Sequence, residues 1–156
     1  MKLFSTKTFF SIVIFIFFSS CAYEKMNSTE QKRINIIEID IQGDRKAAFL
    51  IKKGINRFSN KNSNNKMKIS VSLNKSKEIE EKNIQNKVTK YRLSLSAQVV
   101  YKNLNSSEDL KRTYNAQEIY IVENRYSGTI NNLKAAEDAI VDTILNEILD
   151  ELKIFT

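Results

Sequence analysis

The chain has no histidine, no proline and no tryptophan, and it contains one cysteine and three glycines in 156 residues. Each scarcity removes a class of chemistry. Without histidine, and with Cys21 as the only thiol, neither Ser-His nor Cys-His nucleophile pairs nor a His-ligated metal site can be assembled. A single cysteine also excludes an intramolecular disulfide. Gly43, Gly54 and Gly128 are too scattered to build a loop that cradles phosphate. Ser-Lys neighbours such as Ser70 with Lys68 and Ser76 with Lys75 are what a chain rich in both residues produces by chance. The acidic run Glu78, Glu80, Glu81 is interleaved with lysines, as in a solvated segment. The residues therefore predict no enzyme, no metal site and no cofactor.

What is present begins with Phe9–Cys21, FFSIVIFIFFSSC, preceded by Lys2 and Lys7 and by no acidic residue. A positive start, a short apolar stretch and small residues at its end form a secretory signal. The stretch falls short of the roughly 20 apolar residues that a spanning helix needs. Ser19-Ser20-Cys21 places a thiol where a lipoprotein signal is cut, although Phe18 stands where a leucine is usual. At such a site the sulfur takes a diacylglycerol and the new amine of the cut chain takes an acyl group. Several acyl chains give stable anchoring where one does not. The alternative for Cys21 is an unused free thiol. The expectation is residues 1–20 as signal, 21–32 as lipidated tether and 33–156 as one domain, anchored at the outer membrane and facing the periplasm.

The formal charge is +7, and it falls by two when Lys2 and Lys7 leave with the signal. Lys, Asn and Ile are abundant, as in proteins of AT-rich genomes, so part of the positive charge is compositional background. The remaining meaning of a basic balance on an exported chain is attraction to anionic headgroups or phosphates.

Alternation and periodicity order the rest. Residues 33–41, RINIIEIDI, place Ile37, Ile39 and Ile41 against Glu38 and Asp40, which predicts a strand buried on one face. Gly43-Asp44 marks a turn, with Asp44 as a helix cap. Ala47, Ala48, Ile51, Ile55 and Phe58 then predict a helix over 45–58. Strict alternation from Met67 to Leu73 and from Thr89 to Asn103 predicts two further strands, and Leu110–Asn124 predicts a hairpin partner for the second. The intervening 74–86 segment, charged and irregular, reads as a mobile connection. Leu133, Ala136, Ile140, Ile144, Ile148, Leu152 and Phe155 mark a terminal amphipathic helix over 132–155. The order is β-α-β-β-β-α, an α+β fold in which both helices can cover one sheet face. Tyr91, Tyr101, Tyr114, Tyr120 and Tyr126 serve either as cross-strand packing or as a surface for a partner.

A family resemblance rests on this order together with several local patterns. Thr89-Lys90-Tyr91-Arg92-Leu93 opens an alternating strand. Tyr114, Ala116 and Ile119–Val122 follow, and Tyr126-Ser127, Asn131, Ala135, Glu137 and Ala139 lead into the last helix. With Asp44-Arg45 before the first helix, this resembles the LptE family of lipopolysaccharide-assembly lipoproteins, particularly its divergent alphaproteobacterial forms. The resemblance covers nearly the whole mature chain, and no single motif in it is specific. It departs at Ala22-Tyr23-Glu24, where the family has a Gly-rich or Pro-containing segment. The resemblance implies a mixed four-stranded sheet with two helices packed against it. It also implies a 1:1 complex with the LptD β-barrel, which the lipoprotein plugs, and a role in inserting lipopolysaccharide (LPS) into the outer leaflet. Arg45, Arg92 and Arg112 are the candidates for contact with LPS. Other readings are a lipid-binding or envelope-maintenance lipoprotein without a barrel, and a surface adhesin or structural lipoprotein.

Overall fold

A computed structural model of the protein describes residues 34–106 and 109–155. The signal, Cys21 and the tether lie outside the described residues. Four strands form one sheet: β1 (Ile34–Gln42), β2 (Asn65–Lys82), β3 (Val88–Asn103) and β4 (Asp109–Ile121). The helices are α1 (Arg45–Phe58), between β1 and β2, and α2 (Tyr126–Ile154), after β4. Spatial order follows chain order, β1-β2-β3-β4. The β1–β2 pair is parallel, while β2–β3 and β3–β4 are antiparallel, so the sheet is mixed and the α+β order is the expected one.

The two-residue period of a strand decides which sheet face is covered. In register across β2, β3 and β4 lie Ile69–Tyr101–Leu110, Val71–Val99–Arg112 and Leu73–Ala97–Tyr114, and Ile69, Val71, Leu73, Ala97, Val99 and Tyr101 are all buried. Ala47, Ile51 and Ile55 of α1 and Ala136, Ile140, Ile144, Ile148 and Leu152 of α2 complete that core. Along α2 the buried positions recur every three or four residues, the spacing of one helix face. At 1.5 Å per residue α2 is about 43 Å long, close to the length of the 13-residue β4 it runs along, at ~3.3 Å per residue. Tyr101 is buried, its ring tilts against Phe155 at 6.0 Å, and its hydroxyl lies 2.9 Å from that of Tyr114. Burial pushes the Tyr101 phenol well above the ordinary tyrosine range, with the Tyr114 hydroxyl adding to the shift.

Among the described residues, the opposite sheet face is bare and polar. Ser72–Gln98–Thr113, Asn74–Ser96–Asn115 and Ser76–Ser94–Gln117 form successive rows across it, without a charged side chain among them.

Three expectations change. Residues 74–82 are not a mobile connection but the second half of β2, paired to β3 through Lys77–Leu93, Glu78–Arg92 and Ile79–Tyr91. The segment has no apolar alternation of its own, and β3 supplies the ladder that makes it a strand. In β1, a register shift between Ile36 and Glu38 interrupts the simple alternation. Ile34 and Ile36 are buried, Ile39 and Ile41 pack against the core, and Ile37 is turned outward, as a bulge requires. The last helix begins at Tyr126 rather than Asn132. Its first turns are polar and are tied back to the end of β4: Thr129 Oγ accepts from the Glu123 N–H at 2.9 Å, and Asn132 Nδ2 donates to the Ile121 carbonyl at 3.1 Å.

Glycine is required at two close approaches. Gly54 lies under Leu145, whose Cδ2 would be 2.4 Å from an added Cβ, so it lets α1 and α2 meet. Gly43 has φ +115°, and a Cβ there would sit 2.2 Å from the Leu73 carbonyl oxygen. Gly43→Ala therefore combines backbone strain with a collision against backbone. It is expected to lower unfolding stability by at least ~1–3 kcal/mol, read as a drop in the urea midpoint. An unchanged midpoint would contradict this account of the β1–α1 turn.

Candidate functional site

Charged groups gather in three places, each set by an element end or a strand register. The first is the junction of the β1–α1 turn, β2 and α2. Asp44 caps α1, its Oδ1 accepting from the Ala47 N–H at 3.0 Å, while its Oδ2 lies 2.6 Å from Lys75 Nζ. Lys75 also reaches Glu137 of α2 at 3.1 Å. Glu137 and Asp138 in turn hold Lys46 at 3.2 and 2.8 Å. Lys75, Asp44 and Glu137 are each about three-quarters shielded from water, so the network pins both helices to the sheet. The Ala47 N–H and the Lys75 ammonium hold the Asp44 carboxyl below the ordinary aspartate range. Lys75 occupies the helix side of β2 and Ser76 the bare side, so this Ser-Lys pair does not converge. Lys68, near Ser70, is engaged by Glu38 at 2.6 Å.

The second place is the free end of the β2–β3 hairpin. β1 pairs with β2 only as far as Ser72, and β4 reaches Lys90 of β3. The hairpin therefore runs on beyond β1 as an arm, flanked by β4 as far as Lys90, and turns over Asn83–Lys87, with Asn86 at φ 63°. From Asn65 to Lys82, β2 is about 56 Å long at ~3.3 Å per residue. Salt bridges between the strands lace the arm: Arg92 with Glu80 at 2.7 Å and Lys90 with Glu81 at 2.6 Å. The Lys90 ammonium lowers the Glu81 carboxyl. Lys77 lies over the Tyr91 ring at 4.6 Å, Tyr91 stacks on Tyr120 at 5.6 Å, and Ile79 and Ile84 are exposed.

The third is the outward side of α1, which carries Arg45, Lys52, Lys53 and Arg57.

The three arginines named as candidate LPS contacts are not brought together. Arg45 opens α1 on the helix layer. Arg92 points from the bare sheet face and is held by Glu80. Arg112, on β4, sits on the helix side, 3.3 Å from Glu151 of α2. Seven residues of β3 separate the register positions of Arg92 and Arg112, about 23 Å. The Glu78–Glu81 run, read as a solvated loop, is strand whose acids pair with β3. The junction network escaped the sequence because its members lie far apart in the chain; only the capping role of Asp44 was visible.

Among the described residues, apolar side chains of both layers fill the core between the sheet and the helices. The space beside Asp44, Lys75, Leu95, Glu137 and Ile140 is about 10 Å³, room for at most one water. A surface groove of about 470 Å³ runs between the outer edge of β4 and α2, along Glu118, Tyr120, Asn132, Ala135 and Ala139. Among the described residues, no group of acidic or thiol side chains is placed to hold a metal ion, and no helix is long and apolar enough to cross a membrane.

No family model matches the chain, and no curated protein matches it. Solved structures do. A Caulobacter crescentus protein assigned as a lipoprotein is 11% identical, with a TM-score of 0.56 over 79% of this chain and 89% of the other. Lipoprotein B of Nitrosomonas europaea is 11% identical, with a TM-score of 0.55 over 81% and 88%. The rare lipoprotein B of Shewanella oneidensis is 9% identical, with a TM-score of 0.49 over 74% and 89%. The chain shares its fold with the first two.

Asp44 gives a pH test. A lowered folded-state pKa adds stability above the unfolded aspartate value of about 3.9, and that stability is lost as pH falls through the folded value. Asp44→Asn keeps an oxygen for the cap and loses the charge. Its deficit against the natural protein should be under ~1 kcal/mol at neutral pH and should close below pH ~4. Asp44→Ala, which also loses the cap, should cost ~1–2 kcal/mol and retain a deficit in acid. Urea titrations at several pH values read both, and an Asn deficit independent of pH would contradict the ion-pair account.

Proposed function

We propose that the chain is an outer-membrane lipoprotein, anchored through Cys21, that plugs the LptD β-barrel and assists the last step of LPS transport. The observation that carries the reading is the fold. It is shared with the Caulobacter and Nitrosomonas lipoproteins, and it joins the LptE-like residue patterns to the lipoprotein-type signal at Ser19-Ser20-Cys21.

The geometry supports the reading physically. Outer-membrane barrels have polar lumens, which in some of the widest are filled by plugs. The bare face offers rows of Ser, Thr, Asn and Gln, which can hydrogen-bond a polar wall without the cost of stripping water from charges. The long β2–β3 hairpin carries the far end of the sheet roughly 56 Å from the Asn65 end, near which the tether joins, farther than the ~25 Å apolar height of a barrel. Arg45, Arg92 and Arg112 remain the proposed contacts to phosphorylated lipid, and at Arg92 and Arg112 a phosphate would have to displace Glu80 and Glu151. The filled core disfavours a free lipid carrier, since an acyl chain would have to lift a helix off the sheet.

Affinity capture of the tagged, membrane-extracted protein with mass spectrometry of what stays bound tests this reading. A large outer-membrane β-barrel at 1:1 stoichiometry is expected. Recovery of free monomer with lipid and no barrel would overturn the plug and favour the lipid-binding alternative.

A further inference from the structure

Helix α1 contains Arg45, Lys46, Lys52, Lys53 and Arg57 and no acidic residue. Its inner stripe is Ala47, Ile51 and Ile55. At about 100° per residue, Arg45, Phe49, Lys52, Lys53 and Asn56 fall on the opposite side. Among the described residues, the ion pairs of α1 run through Lys46 alone. In the middle of this basic face sits Phe49, 66% exposed although it is a large apolar side chain. With Lys52, Lys53, Asn56 and Arg57 it forms a shallow depression of about 420 Å³.

The position of this face carries the argument further. The end of α1 is fastened to the start of β1. The Asn60 N–H donates to the Ile34 carbonyl at 2.8 Å, the Ile36 N–H to Ser59 Oγ at 2.9 Å, and Asn35 Nδ2 to the Lys61 carbonyl at 3.1 Å. Ile34 is where the segment 22–33 enters the domain, and that segment spans at most ~43 Å when fully extended. A lipid on Cys21 therefore keeps α1 within reach of the bilayer that holds it.

We propose that the outward face of α1 docks on an anionic phospholipid surface, with Phe49 at the boundary between headgroups and acyl chains and with Arg45, Lys52, Lys53 and Arg57 against lipid phosphates. The anchor that brings the face to the surface belongs to the lipoprotein reading; the affinity of the face for anionic lipid does not depend on it. An aromatic ring flanked by lysines and arginines suits this boundary, because the ring leaves water while each ammonium stays at headgroup level. Each basic residue near an anionic surface strengthens binding by about five-fold, and salt screens the attraction over a Debye length of about 8 Å.

The chain has no tryptophan, so Phe49→Trp provides a single reporter. The full lipidated protein is reconstituted into vesicles of phosphatidylcholine alone, or of phosphatidylcholine with phosphatidylglycerol. The expected result is a blue-shifted indole emission, quenched by brominated acyl chains, only in the phosphatidylglycerol vesicles, and reversed by high salt. Adding Lys52→Glu and Lys53→Glu should weaken docking at least ~25-fold with an unchanged circular dichroism spectrum. If that pair unfolds the protein, Arg45→Glu with Arg57→Glu on the same face replaces it. Emission that stays water-like in phosphatidylglycerol vesicles, or that shifts equally in both vesicle types, would overturn the proposal. So would an indole shielded only in complexes recovered from the membrane, which would assign the face to a protein. Failure to float with phosphatidylcholine vesicles would refute the lipid anchor alone, and protein added directly to phosphatidylglycerol vesicles would still decide the docking.

Discussion

The structure depends on the one-sided burial of β3. Its odd-numbered residues Leu93, Leu95, Ala97, Val99 and Tyr101 are nearly inaccessible, and the even-numbered ones face solvent or the bare side. Because the pleat has a period of two, a slip of one residue would exchange the whole row. That constraint fixes the register with both neighbouring strands, and through them the side on which α1 and α2 must lie. The crossover from β1 to β2 delivers α1 to the same side, and α2 returns along β4 to cover the other half of the row.

The same constraint leaves two surfaces with different characters. The bare face is uncharged in its centre and rich in side chains that both donate and accept hydrogen bonds. The helix layer presents charge instead, and unevenly. Around α2, Glu137 and Glu151 tie their basic neighbours down, whereas the charged groups on the outward side of α1, around Phe49, are all positive. The polar sheet face suits the polar wall of a barrel lumen, and the basic face of α1, whose end is fastened beside the start of β1, suits an anionic surface near the anchor.

Much of this was legible in the sequence, where apolar contrast was strong. The bounds of α1, 45–58, agree with the expected ones because Asp44 marks the start and the apolar period is clean. β3 and the stripe along α2 were legible for the same reason. The second half of β2 was not, since Asn74–Lys82 has isoleucine at one position only and becomes strand through pairing with β3. Ile37 misled because a bulge cannot be seen in a pattern that stays apolar on both sides of it. Arg45, Arg92 and Arg112 could be chosen as basic residues, but their spread over both faces of the sheet depends on register and on long-range packing. The Lys75–Glu137 contact joins residues 62 positions apart, which no local pattern reports.

The most direct test of the central claim, that the polar sheet face lies against a barrel wall, is photocrosslinking in intact cells from a probe placed at Ser96, in the middle of that face. The account predicts one dominant adduct to a large outer-membrane β-barrel, with a far weaker adduct from a probe at the outward-facing Lys53. Adducts to soluble periplasmic proteins alone, or equal barrel adducts from both positions, would contradict it.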